Sequence, residues 1–209
     1  TSGGWELSRK AWPAGMDEWT HPNYDATGNR YSKDEYIKPP FTYKWIDGIG
    51  VPLFGAGAKS WVICNGRCFS VSASQPENLG LKIARGESAP QYLEARDAFN
   101  GLVLWKQPVG QTQSRRALSW RNVQPWRNSE PLVAAKDTVY AVRNGKLVAF
   151  NAADGREMFV CDNTSAPWAL RLSRGTLVTA GREESGITIS GAIEAFDTAT
   201  GGRRWALPV

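Results

Sequence analysis

Three segments of the chain align with one another without gaps, and this internal repeat constrains the fold more than any other feature. In each segment an Ala is followed by an Asp or Asn, a Gly and an aromatic residue at the same spacing. The three sets are Ala95, Asp97, Gly101 and Trp105; Ala149, Asn151, Gly155 and Phe159; and Ala195, Asp197, Gly201 and Trp205. Successive copies lie about 50 residues apart, which is close to the period of propeller blades.

Each repeated position has a physical role in a strand–turn–strand unit. The Asp or Asn ends one strand and accepts backbone N–H groups in the turn that follows. The Gly supplies a positive φ at no steric cost, and the Ala leaves room for the aromatic ring on the next, outer strand. We therefore expect Trp105, Phe159 and Trp205 to be buried between neighbouring blades.

The remainder of each unit consists of short apolar runs joined by turn residues. Asn65-Gly66 is a strong signal for a two-residue hairpin turn, whereas Arg143-Asn144-Gly145 and Ser173-Arg174-Gly175 are expected as three-residue connections. Four short strands per unit predict an all-β fold, a partial β-propeller of about three four-stranded blades. The blades are placed near 57–108, 130–161 and 167–208.

Composition supports strands and turns and narrows the range of functions. The 209 residues include 10 Trp, 21 Gly and 12 Pro. With a single histidine, His21, any catalytic or metal centre would have to rely on carboxylates. We assign no catalytic, cofactor-binding or metal-ligating residues. The net charge of +5 does not by itself imply a nucleic-acid partner, and we expect none. No apolar run approaches the length of a membrane-spanning helix.

Three cysteines exclude a disulfide framework and allow at most one internal bridge. Cys64 and Cys68 flank the Asn65-Gly66 turn. A two-residue turn would direct them to opposite faces of the hairpin. A three-residue turn would place them opposite each other, where a disulfide is geometrically possible. We favour buried free thiols.

A basic, tryptophan-containing loop over 111–129 is the candidate binding element. Arginine and aromatic side chains are enriched where proteins bind partners, and together they also suit anionic or sugar ligands. The alternative is an insertion between blades whose tryptophans pack on the propeller and whose arginines are solvated. The residues concerned are Arg115, Arg116, Trp120, Arg121, Trp126 and Arg127.

The three motifs resemble the tryptophan-docking pattern Ala-x-Asp-x-x-Thr-Gly-x-x-x-Trp of the pyrroloquinoline-quinone (PQQ)-like β-propeller family. The third copy matches fully, the first has Asn100 in place of Thr, and the second departs at three positions, one of them Asp154. The segments Gly15–His21 and Tyr24–Asn29, followed by Lys38-Pro-Pro40, also resemble the opening segment of large exported planctomycete PQQ-like propeller proteins.

The resemblance implies a binding or scaffold role rather than catalysis. The quinone-dependent dehydrogenases of this family hold their cofactor against a vicinal cysteine pair, and no two cysteines are adjacent here. The sequence instead looks like the non-catalytic branch, similar to the outer-membrane-assembly scaffold propellers. It implies a bacterial, extracytoplasmic location, periplasmic or secreted, no cofactor, and a protein partner. The alternative is a segment of a quinoprotein oxidoreductase whose active site lies outside this chain.

We divide the chain into two parts, of which the resemblance to the propeller family covers the second. Residues 1–40 are expected to form an extended, aromatic-rich N-terminal arm that packs on the propeller or on a partner. Residues 41–209 form the propeller segment. Within it, strand 41–46 resembles the outer strand of a final blade that is not in this chain. The remaining blades would come from the rest of the same polypeptide or from another chain.

Overall fold

The computed structural model of the chain describes residues 13–36, 60–73, 88–111, 131–181, 183–185 and 188–208. In these ranges the chain forms β-strands, turns and irregular segments, and no helix. The first sheet contains β1 (Ser60–Cys64), β2 (Arg67–Ala73), β3 (Pro90–Asp97) and β4 (Val103–Gln111). The second contains β5 (Leu132–Ala135), β6 (Thr138–Arg143), β7 (Lys146–Asn151) and β8 (Glu157–Val160).

The third sheet is built in the same way but is interrupted by a hairpin. It contains β9 (Pro167–Ser173), β10 (Thr176–Gly181), β13 (Ala192–Asp197) and β14 (Arg203–Pro208). The hairpin of β11 (Glu183–Ser185) and β12 (Thr188–Ser190) lies between β10 and β13 in the chain. Each sheet is an antiparallel meander in which every strand pairs with its neighbour in order. The prediction of an all-β partial propeller with three four-stranded blades is confirmed; segment 41–46 lies outside the described residues.

Three tight turns of one type connect the first two strands of the outer blades and the second and third strands of the middle blade. Asn65-Gly66, Asn144-Gly145 and Arg174-Gly175 all have two successive positive φ angles, as a type I′ turn requires. The expected three-residue connections at Asn144 and Arg174 are therefore wrong. Arg143 and Ser173 pair within the ladder instead, because a two-residue type I′ turn matches the twist of the strands it joins.

The Asn65-Gly66 turn also decides between the two alternatives for the cysteines. Cys64 pairs with Arg67 and Cys68 pairs with Ile63, so the two thiols lie on opposite faces of the hairpin. Both are free, as is Cys161. Burial, together with the nearby Glu18 carboxylate, raises the pKa of the Cys64 thiol to about 12. Burial raises the pKa of Cys161 to about 11.

The core lies between the sheets, in two apolar layers. The first layer joins Phe69 of the first blade to Val139 of the second, and the other joins Tyr140 of the second blade to Leu177 of the third. Because side chains alternate along a strand, β6 sends Val139 to one layer and the next residue, Tyr140, to the other. The middle blade is therefore buried on both faces, which is how stacked propeller blades stabilise one another.

The first strand of each blade lies nearest the propeller axis. Strand β5 contacts β1 on one side and β9 on the other. The last strand of each blade, β4, β8 or β14, lies at the periphery and pairs with one strand only in the described residues. The ring–glycine contacts described below lie at the outer strands, and the contacts of the N-terminal loop lie at the inner strands.

Truncating a side chain in the second core layer should destabilise the fold strongly. Leu177 has no exposed surface, so Leu177→Ala should lower the free energy of unfolding by about 2–5 kcal/mol through lost burial and the cavity left behind. Leu102→Ala is the matched control, since Leu102 is 66% exposed and should change stability by less than about 0.5 kcal/mol. Urea denaturation measures both; equal losses would contradict the described core.

Candidate functional site

Each repeated turn is closed by its own Asp or Asn. The Asp97 carboxylate accepts the backbone N–H groups of Phe99 and Asn100, and Gly101 N–H donates to the Asp97 carbonyl. Asp197 repeats this arrangement in the third blade and also accepts a 2.6 Å hydrogen bond from Arg204. That guanidinium contact, supported by the turn N–H groups, lowers the pKa of Asp197 to about 2.

The residue before the repeated glycine has a constant role despite its changing identity. In every copy its side-chain oxygen accepts the backbone N–H two residues further on. The acceptors are Asn100, Asp154 and Thr200. Thr, Asn and Asp can all supply an oxygen at this distance, which explains why the three copies of the motif differ here without a change of turn.

The repeated aromatic residue packs on the glycine of the following blade. The Trp105 ring covers Gly155 so closely that a Cβ there would lie 2.6 Å from the ring, and the Trp105 indole N–H donates to the Ala152 carbonyl at 3.1 Å. The Phe159 ring covers Gly201 in the same way. Each ring thus joins the outer strand of one blade to the turn of the next.

Trp205 does not follow this pattern, and the expectation that it is buried is wrong. Its side chain is 48% exposed, whereas Trp105 is 9% exposed. Trp105 and Phe159 are both covered by the turn of the next blade, and among the described residues no further turn lies against β14. Ala195, which pairs with Trp205, is nevertheless fully buried.

Adding a methyl group under a docked ring should cost more than adding one to an equivalent open turn. Gly155 and Gly175 both have a φ of +73°, but the nearest atom to a Cβ at Gly175 is 3.7 Å away. Gly175→Ala should cost about 1–2 kcal/mol for the left-handed backbone. Gly155→Ala should cost about 1–3 kcal/mol more because the Trp105 ring must move. Thermal or urea unfolding compares the two; equal losses would show that the ring contact is loose.

The second site lies at the axis, where the N-terminal loop (residues 15–35) meets the blades. The ends of this loop are joined by a hydrogen bond from the Glu35 N–H to the Gly15 carbonyl at 3.0 Å. Inside it, the Asp17 carboxylate accepts the Lys33 N–H at 2.7 Å and the Ser32 hydroxyl at 3.2 Å. Residues 15–35 of the predicted arm therefore form a closed loop that contains no long strand.

Three consecutive loop residues contact three successive blades. Trp19 forms two backbone hydrogen bonds with Ile63 of β1, 2.6 and 2.9 Å long. The Ala134 N–H of β5 donates to the carbonyl of the next loop residue, Thr20, at 2.9 Å. The Leu172 N–H of β9 donates to the ring of His21 at 2.9 Å. Ile63, Ala134 and Leu172 occupy the same position in their blades, the second residue before the first hairpin turn.

Aromatic packing holds the loop in this position. The Trp19 ring stacks on Trp61 with centroids 5.6 Å apart and meets the edge of Tyr24 at 5.5 Å. Tyr24 has a φ of 81°, which is uncommon for a residue with a side chain and costs backbone energy. Its two backbone hydrogen bonds with His21 hold it there.

His21 is the most deeply buried charged or titratable group of the loop. Its imidazole contacts the Thr20 hydroxyl through Nδ1 at 2.9 Å and accepts the Leu172 N–H through Nε2. Burial and the positive charge of Arg171 together lower the pKa of His21 to about 4, against the smaller opposing effect of Asp25. Sequence reasoning used the lone histidine to argue against catalysis and as part of the resemblance of the arm, and it did not predict this contact.

The connection between the second and third blades contains a further group of buried polar residues that sequence reasoning missed. Asn163 accepts the Leu147 N–H through Oδ1 and donates to the carbonyls of Gly145 and Ser165. Glu194 is fully buried and accepts the Thr164 N–H. These contacts join the connection to β7 and β13, and both amide hydrogens of Asn163 are used.

The basic loop predicted to bind a partner lies outside the described residues, so its six arginine and tryptophan side chains stay a prediction. Where the structure is described, no three His, Cys, Asp or Glu side chains meet in a way that could hold a metal ion. The same ranges contain no helix long and apolar enough to cross a membrane.

The comparisons with known proteins concern the fold. The sequence matches no protein-family profile, and no curated protein matches it. The structure is similar to that of the quinohemoprotein alcohol dehydrogenase from Comamonas testosteroni, with a TM-score of 0.52 and 16% identity over 93% of this chain. It is less similar to BamB from Moraxella catarrhalis, with a TM-score of 0.33 and 19% identity over 58% of this chain. The chain spans 28% of the dehydrogenase and 34% of BamB. The likeness to the dehydrogenase, together with the three stacked sheets, establishes a β-propeller fold.

Proposed function

We propose that this chain is a segment of a non-catalytic PQQ-like β-propeller that acts as a protein-binding scaffold outside the bacterial cytoplasm. The observation that carries the proposal is the outer face of the third blade, formed by Val178, Ala195, Trp205 and Leu207. Trp205 and Leu207 are 48% and 57% exposed, and both belong to the peripheral strand β14. An exposed apolar face of this kind marks a surface that another protein element covers.

The outer face of the third blade has the same Ala–aromatic pair as the faces by which the first and second blades contact the blade that follows them. Ala95 and Trp105 pair across β3 and β4, Ala149 and Phe159 pair across β7 and β8, and the third blade repeats the pair. In the first two blades the aromatic ring packs on a glycine of the next turn. The repetition supports a further blade as the occupant of the third face.

A closed ring of blades needs more units than the three described here. Propellers close with about four to eight blades. We infer that the remaining blades come from the rest of the same polypeptide or from another chain in the same particle. Strand 41–46 would then be the outer strand of the final blade, and 41–209 would be the part of the ring contributed by this chain.

The chemistry of the chain favours a scaffold over a catalyst. The cysteines are not adjacent in sequence, whereas the resembling dehydrogenases place a vicinal pair against their quinone. Burial raises the pKa of the Cys68 thiol to about 11 and that of Cys161 to the same range, so neither is a ready nucleophile. The resemblance of the arm to exported planctomycete propeller proteins supports a periplasmic or secreted location, and the basic loop at 115–127 is the proposed contact for a protein partner.

Cysteine labelling tests whether the outer face of the third blade is covered in the native protein. Leu207→Cys places a thiol on that face. The three native cysteines are free, and burial raises the pKa of each thiol, so they react slowly at pH 8. In the isolated chain the new thiol should react rapidly with iodoacetamide. In the complete native polypeptide or particle it should react at least about 10-fold more slowly, because a neighbouring blade excludes the reagent.

Met158→Cys is the matched control, since Met158 is 47% exposed and belongs to β8 of the middle blade, whose two neighbouring blades are both described. It should react equally fast in both samples. If Leu207→Cys also reacts equally fast in both, the face is open to solvent and the proposed neighbouring blade is absent.

A quinoprotein oxidoreductase is the second candidate, favoured by the structural likeness to the quinohemoprotein alcohol dehydrogenase over most of this chain. In that case this chain would supply blades and the active site would lie elsewhere in the ring. The absorbance of the complete purified protein above 300 nm distinguishes the two. A bound quinone or haem would absorb there and support the oxidoreductase, whereas a scaffold would show no band.

A further inference from the structure

The N-terminal loop is held on the three blades at equivalent positions, but the three hydrogen-bond acceptors differ in chemistry. The Ile63 N–H donates to the carbonyl oxygen of Trp19, and the Ala134 N–H donates to that of Thr20. The Leu172 N–H instead donates to a ring nitrogen of His21. A backbone carbonyl does not titrate in the physiological range, whereas an imidazole does.

The geometry around His21 requires the neutral ring. Its Nε2 accepts the Leu172 N–H at 2.9 Å, so this nitrogen carries no proton and Nδ1 donates to the Thr20 hydroxyl at 2.9 Å. A proton on Nε2 would point the imidazole N–H at the Leu172 N–H, and the hydrogen bond between them would be lost. The residue is 3% exposed, so water cannot readily take the place of the lost acceptor.

The charged groups around the ring also oppose its protonation. Arg171, next to Leu172 on β9, faces the ring with a like charge, and its guanidinium also lies near Gly28 of the loop. Among the described residues, Asp25 of the loop is the negative charge that favours the protonated ring, and its effect is smaller than those of burial and Arg171. A protonated His21 would thus be a poorly compensated cation between β9 and the loop.

We propose that His21 is an acid-sensitive latch, which holds the N-terminal loop on the third blade while neutral and releases it when protonated. The backbone contacts of Trp19 and Thr20 with the first and second blades contain no titrating acceptor and stay formed. Release would therefore be confined to the part of the loop that follows Thr20. This inference concerns the loop and is independent of the scaffold function.

The direction of the pH effect follows from the two states of the histidine. In the released loop the pKa of His21 takes its ordinary value of 6.5, and in the docked loop burial lowers it to about 4. The released state binds more protons between these values, so docking is complete above 6.5 and weakens as the pH falls toward 4. The fraction of released loop should rise about 30-fold between pH 7.5 and pH 5.

Amide hydrogen exchange of the full chain, resolved by NMR, measures this release directly. The exchange rate of the Leu172 amide is divided by the rates of the Ile63 and Ala134 amides. This ratio removes the intrinsic pH dependence of exchange, because base-catalysed exchange depends on pH in the same way for all backbone amides. The ratio should rise by about 30-fold from pH 7.5 to pH 5. A flat ratio would overturn the proposal.

Two substitutions test the roles of His21 and Arg171. In His21→Gln the side-chain carbonyl can still accept the Leu172 N–H but does not titrate, so the ratio should be constant over the same range. If His21→Gln shows the wild-type rise, His21 does not carry the acid response and the latch is wrong. Arg171→Gln removes the like charge and brings the pKa of docked His21 closer to its released value, so the rise in the ratio should become smaller as the pH approaches 4. A rise of wild-type size would contradict the role given to Arg171.

Discussion

The structure depends above all on the contact between an aromatic ring of one blade and the turn glycine of the next. Trp105 on Gly155 and Phe159 on Gly201 leave no space for a side chain at the glycine. Both glycines also have a left-handed φ, so two independent constraints select the same residue type. The Ala that pairs with each ring is fully buried and keeps the ring close to its own sheet. These contacts at the periphery bring the apolar faces together, and the two core layers follow.

At the axis the blades are joined in a different way. The inner strands β1, β5 and β9 offer one backbone N–H each at the same position, and one short piece of the N-terminal loop satisfies all three. An unpaired backbone N–H near the centre would cost free energy, so the loop stabilises the axial ends of the blades by completing their hydrogen bonds. The strained backbone of Tyr24 shows that the surrounding contacts are strong enough to impose an unfavourable φ.

Sequence reasoning predicted the features that depend on local chemistry. The spacing of Ala, Asp, Gly and Trp predicted the blades and the turn that holds each repeated Gly, and Asn65-Gly66 predicted a two-residue hairpin turn. It was wrong about Trp205 because the burial of that ring depends on a neighbouring turn and not on its own blade. It missed the His21 contact because Leu172 lies 151 residues away and no local pattern marks such a pair. The basic loop lies outside the described residues, so its role as a binding element stays a prediction.

The two kinds of contact between blades respond differently to solution conditions. The peripheral ring contacts are apolar, and the indole N–H of Trp105 donates to a backbone carbonyl, so no titrating group takes part in them. The axial contacts include His21, whose neutral form is required for the third bond. Acid therefore acts on the loop before it acts on the stacking of the blades. In such a propeller the ring contacts at the periphery persist while the N-terminal loop is released at the axis, because only the axial contacts include a titrating group.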